Sequence, residues 1–404
     1  MGNARQFSAL FFNFNLVLVL VLGACDTGDD NPSDDDIAGD DDTGDDDDAT
    51  ADDDDITGDD DTTYEDFIFE PMEPLPEFET VEIVNSCEGR CFLVAVAVAG
   101  SFPAIICDEQ IVWYQDFADC DGVHPEAGVD VRTIWREGHR YPNVTVGAGT
   151  PYLKYPQSEV DLRGEKVWES RMEEEDYGFP HHQFHPLPGG GYAGMVLNAR
   201  DAELWETDYV RFYDGDSFED VIEVDIDDWG NNIFPTDDTV YYINRYFGVT
   251  KTRKFQKNPS TGEWDDVWDE PLVNWGTEGQ GIGHGHAATR LDDGDWLTFN
   301  NEPETKAVRL SLDESTGVGH VVWEEMWADH RQEGDLEMIP QFGNVELMDD
   351  GNYLVNWGWI GSFRAQVDVV TEDHETVCSL TMSPVHTFYV VRPFPIYLLG
   401  ELEE

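Results

Sequence analysis

Between Phe67 and about Glu137, runs of β-branched and small apolar residues such as FLVAVAVAG (Phe92–Gly100) and AIICDEQIVWY (Ala104–Tyr114) are punctuated by proline. They show no helical period, which predicts a small β-sandwich-like module over residues 63–137. From residue 138 to 404 the pattern changes. A hairpin with a Gly or Asp turn recurs at Pro186–Leu197, Pro235–Arg245, Leu291–Asn301 and Leu347–Gly358. Between these fall strand-turn-strand units: VDLRGEKVWES (Val160–Ser170), Phe212–Asp225, Asn258–Glu270, Leu312–Glu325 and Val369–Leu380. With Trp168, Ile222, Trp268, Trp323 and Val377 as landmarks, the steps are 54, 46, 55 and 54 residues. Two hairpins per step make four strands, and four-stranded units at such a period are the signature of a β-propeller. Five units are visible and propeller termini usually close a blade jointly, so the expected fold is all-β: a six-bladed β-propeller preceded by the small module. A long array of sandwich-like sheets is the alternative.

The N-terminus has a different character. Arg5 precedes an apolar run from Phe7 to Leu22, followed by Leu22-Gly23-Ala24-Cys25, which predicts a signal peptide over 1–24 ending in a lipobox and a lipidated Cys25. Small residues before the cut admit the peptidase, and the thiol takes the lipid. The expected location is the bacterial cell envelope, lipid-anchored and extracytoplasmic, with the membrane as a partner through that lipid. Asp26–Asp61 holds 20 acidic residues and no basic ones. Like charges at that density repel, so residues 25–62 are expected to be a disordered acidic tether. Its blocks lack the spaced alternation and closing Glu of a calcium loop.

Charge then limits the partners. The chain has 22 Lys+Arg against 87 Asp+Glu, a formal charge of -65, and Thr62–Glu404 alone keeps 21 basic and 67 acidic residues. No nucleic acid is expected as a partner. Any anionic substrate has to be met by a few placed cations. Five cysteines follow Cys25. Cys87 with Cys91 and Cys107 with Cys120 are spaced for local disulfides, leaving Cys378 over, although spacing alone does not fix connectivity.

Histidine is unevenly distributed. His181, His182 and His185 lie in FPHHQFHPLPGGGY, and His284 and His286 in GIGHGHAATRL. Each cluster directly precedes the first hairpin of a blade, so blades in register place both at the same end of the channel, as loops converging on one axis. The equivalent stretch between them, DDWGNNIFP, offers Asn231 and Asn232 instead of histidine. No phosphate-binding loop, nucleophile elbow or dinucleotide fingerprint is present.

The segment HGHAATRLDDGDWLTFNNEPETKAVRLSLDESTGVGHVVWEE (His284–Glu325) resembles the bacterial arylsulfate sulfotransferases, where a His before a strand is followed by "FDNG"-, "SRAVEY"- and "VWEY"-like stretches. GNVELMDDGNYLVNWG (Gly343–Gly358) is similar to that family's next blade, and HQFHPLPGGGY from His182 to an earlier one. The resemblance covers roughly Glu79 to Tyr397. It implies a six-bladed propeller that moves a sulfuryl group from a phenolic sulfate ester to a phenol acceptor through a sulfohistidine, with no cofactor and no metal. By the same resemblance His286 is the nucleophile, His182 its acid/base partner, and Arg245 in YYINRYFG the clamp on the sulfuryl oxygens. His284, His185, Asn232 and Asn300 complete the substrate-binding set. The chain departs from the family where the middle motif has Asn231 and Asn232 but no His, Asn300 stands for Asp, and Lys306 for Arg. Two other readings remain open: a non-catalytic propeller binding a ligand, glycan or protein at the same mouth, and a His-ligated metal site built from the two clusters.

Overall fold

The computed structural model describes residues 82–85, 87–97, 102–108, 110–114, 130–134, 142–147, 157–170, 179–197, 207–215, 217–225, 230–244, 248–267, 274–275, 283–302, 304–313, 315, 318–332, 335–336, 342–360, 364–383 and 387–394. The expected signal segment, Cys25, the expected acidic tether, Cys120, Trp268 and Arg245 lie outside them.

The described residues are nearly all β. In chain order come β1 (Glu82–Asn85), then β2 (Cys91–Ala97), β3 (Phe102–Cys107) and β4 (Gln110–Tyr114). A second blade is β5 (Val131–Ile134), β6 (Asn143–Val146), β7 (Ser158–Val160) and β8 (Lys166–Glu169). The third is β9 (Phe179–Pro186), β10 (Tyr192–Leu197), β11 (Thr207–Asp214) and β12 (Ser217–Asp225). The fourth is β13 (Gly230–Pro235), β14 (Thr239–Asn244), β15 (Gly248–Lys257) and β16 (Trp264–Asp266). In the fifth, β17 (Asn274–Trp275) lies outside β21 (Val318–Met326), preceded by β18 (Gly283–Arg290), β19 (Trp296–Glu302) and β20 (Lys306–Asp313). A single helical turn, α1 (Trp327–His330), leads to the sixth: β22 (Asn344–Leu347), β23 (Tyr353–Trp359), β24 (Ala365–Val370) and β25 (Thr376–Ser383), with β1 on its outer edge.

The last strand, β26 (Thr387–Phe394), returns to the beginning of the chain and pairs with β2, so the first blade is β26-β2-β3-β4. The innermost strands β26, β5, β9, β13, β18 and β22 touch in that order, and β22 touches β26. The ring is closed with six blades, as the repeat predicts. The β-rich stretch expected to stand ahead of the propeller is drawn into it over 91–114. Its three strands lack an inner strand of their own, and β26 supplies it. Thr62–Glu404 accordingly forms one compact unit, with no boundary at residue 137.

Burial follows the blade stack. Phe92, Val94 and Val96 face Leu354, Val367 and Leu380 of the sixth blade, while Leu93 and Ala95 on the other side of β2 join Val131, Val144 and Val160 of the second. A middle strand is thus covered on both faces, and FLVAVAVAG is continuously apolar rather than alternating. The remaining seams repeat this, through Phe184, Tyr192 and Tyr213 against Trp168, Met195 with Ile233, Trp296 with Tyr241, and Trp357 with Phe299. The turn in PLPGGGY requires glycine at Gly191: its φ is +73°, and a Cβ there would stand 2.3 Å from the Tyr213 carbonyl oxygen.

The described disulfides differ from the expected local pairs. Cys91 and Cys107 are direct cross-strand neighbours on β2 and β3 (Cα–Cα 4.3 Å), and Cys87 is joined to Cys378 of β25 (Cα–Cα 5.0 Å). Strand pairing overrides sequence proximity, because β1 runs beside β25 and brings the two ends of the ring together. The Cys87–Cys378 bridge closes a sequence separation of 291 residues across the seam between the sixth and first blades. Replacing both with alanine is expected to lower the free energy of unfolding by about 2–5 kcal/mol, measured by denaturant melts against the untreated protein.

Candidate functional site in the propeller channel

The two histidine clusters lie on innermost strands, not in loops at the mouth: His181, His182 and His185 on β9, and His284 and His286 on β18. Counting back five residues from the first residue of each inner hairpin turn (Leu187, Thr236, Leu291, Met348) puts His182, Asn231, His286 and Gly343 at one level. Counting back two puts His185, Phe234, Thr289 and Glu346 at a second. His182 and His286 therefore occupy equivalent places in the third and fifth blades, and Asn231 rather than Asn232 holds that place between them.

The backbone is irregular at the first level. The β9–β10 ladder breaks at His182 and Gln183, the β13–β14 ladder at Asn231, the β18–β19 ladder at Ala287 and Ala288, and the β2–β26 ladder at Tyr389. Such bulges re-aim side chains and are frequent beside active sites. His182 and Ala287 also have positive φ, 53° and 47°. In non-glycine residues that conformation costs on the order of 1–3 kcal/mol and persists only where surroundings enforce it.

The side chains are ordered by hydrogen bonds. His286 Nδ1 is 2.5 Å from the Gly343 carbonyl, and its ring lies 5.0 Å from that of Tyr389 on β26. A carbonyl can only accept, so Nδ1 carries the proton and a neutral His286 has its lone pair on Nε2. Gly343 has a φ of +96°, and a Cβ there would meet the Phe299 ring at 2.4 Å, so only glycine presents this carbonyl. Asn301 Nδ2 donates to the adjoining Phe342 carbonyl at 3.0 Å and holds the same loop.

On β9, His182 Nδ1 lies 2.6 Å from His181 Nδ1, and His181 Nε2 lies 2.7 Å from Asp208 Oδ1. Asp208, fully buried on β11, also accepts from the Tyr242 hydroxyl of the next blade at 2.8 Å. A carboxylate, an imidazole and a second imidazole are thus arranged in series. His185 Nε2 meets Gln183 Oε1 at 3.0 Å, and Gln183 Nε2 donates to Asn232 Oδ1 at 2.9 Å. Asn232 in turn donates toward the Gly285 carbonyl at 3.4 Å. Asn232 is therefore a bridge between the third and fifth blades. Asn300 donates to the Glu304 carbonyl at 2.6 Å and fastens the turn after β19. His284 lies on β18, with its side chain outside the described residues.

At the second level are cations that the sequence reading did not single out. Arg392 of β26 bonds the Val131 carbonyl, Asp130 and Glu346, and Arg132 of β5 donates through Nε to Asp130 at 3.0 Å. Burial first, then Arg132 and Arg392, hold the His185 imidazole well below its ordinary pKa. Their only sequence signal is a charged residue inside an apolar strand pattern, as in VDVRTIW.

A third histidine group sits off the channel, between the fifth and sixth blades. His330 Nε2 pairs with Glu325 at 2.8 Å and Nδ1 with Asp368 at 3.0 Å, while His374 meets the other Glu325 oxygen at 2.6 Å. Asp368 also accepts from Trp357, Gln366 and Ser379. Among the described residues no three His, Cys, Asp or Glu side chains are grouped to hold a metal ion, and no helix is long and apolar enough to cross a membrane.

No family model matches the chain, and no curated protein matches it. Among solved structures it is similar to a protein of unknown function from Bacteroides caccae (12% identity, 76% of this chain and 98% of that one, TM-score 0.49). It is also similar to a candidate 6-phosphogluconolactonase from Bacteroides fragilis (10% identity, 80% and 100%, TM-score 0.39). At these values neither likeness bears on activity, and the propeller assignment rests on the closed ring itself.

The His330 group predicts a pH dependence of stability. Burial opposes its charge, but hydrogen bonds to Asp368 and Glu325 and their charges outweigh this and raise its pKa from 6.5 to about 9. A pKa raised by folding adds stability that is complete below the unfolded value and disappears as pH climbs through the folded one. Unfolding free energy is expected to fall by up to about 3 kcal/mol between pH 6.5 and 9. Denaturant melts of His330→Gln should show a flatter profile over that interval.

Proposed function

We propose that the channel is a group-transfer site of the arylsulfotransferase kind, in which a sulfuryl group passes from a phenolic sulfate ester to a phenol through His286. What carries this reading is the tautomer of His286. The Gly343 carbonyl accepts from Nδ1, which in the neutral ring puts the electron pair on Nε2, the atom that attacks in this reading. Nε2 bonds to sulfur as the S–O bond to the aryl group breaks, and the departing phenoxide takes a proton from His182. The acceptor phenol then returns a proton to His182 as its oxygen attacks the sulfuryl group, the N–S bond breaks, and both histidines are restored. His182 suits the acid/base role because His181 and Asp208 stand behind it and can share its proton. Arg245, assigned by resemblance to clamp the sulfuryl oxygens, lies outside the described residues. The same proposal places the protein outside the cytosol on a lipid-modified Cys25. Two disulfides in the ring support an oxidising compartment.

A second reading, a binding propeller without chemistry, has one observation in its favour. The middle blade brings Asn231 to the histidine level, and Asn232 is occupied as a bridge.

The two readings separate by intact mass spectrometry of the full chain after brief exposure to aryl sulfates at mildly alkaline pH. Transfer predicts a sulfuryl-sized gain that is absent in His286→Ala. It also predicts a kcat lowered roughly 10²- to 10⁴-fold in His182→Gln with a phenol acceptor. No gain across a panel of donors in the folded protein would leave the binding reading standing.

A further inference from the structure

The second level of the channel contains a cation whose surroundings do not complete it. Arg132 projects from the innermost strand β5, whose neighbouring residue Val131 is turned into the apolar seam between the first and second blades. Its Nε is fixed on Asp130, yet its Nη2 is buried with no hydrogen-bond partner. A charged donor withheld from water and left unpaired is costly, and natural folds rarely keep one without use.

The nearby carboxylates do not answer it. Asp130 Oδ1 accepts from Arg392 Nη2, and Asp130 Oδ2 from Arg132 Nε and the Phe184 N–H. Glu346 Oε1 takes Arg392 Nη1 and, at 3.4 Å, Asn344 Nδ2. Arg392 is spent on three acceptors, the third being the Val131 carbonyl. The described structure therefore holds Arg132 oriented by one nitrogen while another is left over, beside a second guanidinium.

We infer that Arg132 Nη2 is the anchor of an oxyanion-binding subsite in the channel, beside His185 and Arg392, for a sulfate, phosphate or carboxylate group. An oxyanion supplies the missing acceptor and a negative charge against two adjacent guanidiniums, whereas a water molecule supplies only the acceptor. The electrostatics agree. Burial first and then the Arg392 charge lower the Arg132 pKa to about 10 despite Asp130, a strain that a bound anion relieves. Asp130 Oδ2 fixes the guanidinium plane through Nε, and a fixed planar guanidinium recognises oxyanions better than a lysine ammonium does. In a chain of formal charge -65 the subsite would select for anions against the general field, so binding should strengthen as salt screens that field.

This subsite lies at the His185 level, not the His286 level, and it stands whether or not His286 transfers a group. Calorimetric titration of the full chain with sulfate, phosphate and acetate, at constant ionic strength in chloride, tests it. At least one oxyanion should bind saturably, Arg132→Gln should weaken it roughly 10- to 100-fold, and Arg253→Gln, which alters a cation paired with Asp266 away from the innermost strands, should leave it unchanged. Equal affinity in Arg132→Gln, or no saturable binding by the unaltered protein, overturns the inference. If Arg132→Gln does not fold, crystals of the unaltered protein soaked in selenate decide instead. An anomalous selenium peak at hydrogen-bond distance from Arg132 Nη2 supports the subsite, and a water there without selenium refutes it. Failure of sulfohistidine formation together with intact anion binding would count against the transfer reading alone.

Discussion

The pairing of β26 with β2 is the contact on which the rest of the molecule depends. Each blade buries both faces of its middle strands against its neighbours, so a missing seam would expose two apolar sheet faces at once. The chain prevents this by sharing a blade between its ends. It reinforces the junction with β1 on the outer edge of the sixth blade and with the Cys87–Cys378 bridge. Closure also fixes the radius of the inner ring. Six strands are held side by side around one axis, and residues far apart in sequence, such as Asp130, Glu346 and Arg392, come within hydrogen-bond reach.

Once the apolar seams are set, buried carboxylates determine how neighbouring blades meet. Glu159 of the second blade accepts from Tyr192 of the third, and Asp208 of the third from Tyr242 of the fourth. Asp368 of the sixth faces His330, which follows the last strand of the fifth, and Asp130 and Glu346 meet Arg392 from the first. An apolar seam alone tolerates sliding, but a desolvated carboxylate is satisfied only in one register. In so acidic a protein these few buried acids are distinguished from the solvated majority by having donors from an adjacent blade. The Asp208 seam carries a histidine pair on its channel side, which makes a structural pin available to chemistry.

Much of the ring was legible from the residues. The Gly and Asp turns marked the hairpins, and Trp168, Ile222, Trp323 and Val377 all fall on the fourth strand counted outward from the channel, because that strand recurs wherever two hairpins have been completed. Trp113 on β4 extends the same spacing backward, 55 residues before Trp168, and marks the leading stretch as a blade. It was hidden because that blade lacks a first strand in sequence and takes it from the other terminus, a topological fact with no local signal. The same closure explains the disulfides: Cys87 lies near Cys91 in sequence but beside Cys378 in space. The histidines were visible as clusters, whereas Asp208, Arg132 and Arg392 were not, since a single charge within a strand reads the same whether it faces solvent or a channel.

The channel is divided along its axis by the way the inner strands are built. At the His182 and His286 level the ladders are broken, φ becomes positive at His182 and Ala287, and backbone carbonyls such as that of Gly343 are free of the sheet to set an imidazole tautomer. Toward the hairpins the ladders are regular again, and fixed charges accumulate instead: Arg132, Glu346 and Arg392, with His185 held neutral among them. Regular strands hold charged side chains rigidly but leave no backbone group to spare, while bulged strands release backbone groups at a cost in strain. Separating the two along one set of six strands lets a single channel combine an imidazole oriented by a backbone carbonyl with a preorganised cation. Under the proposed transfer reading that combination is what an oxyanion ester would meet: a lone pair facing the sulfur, and positive charge held apart from it on the same ring of strands.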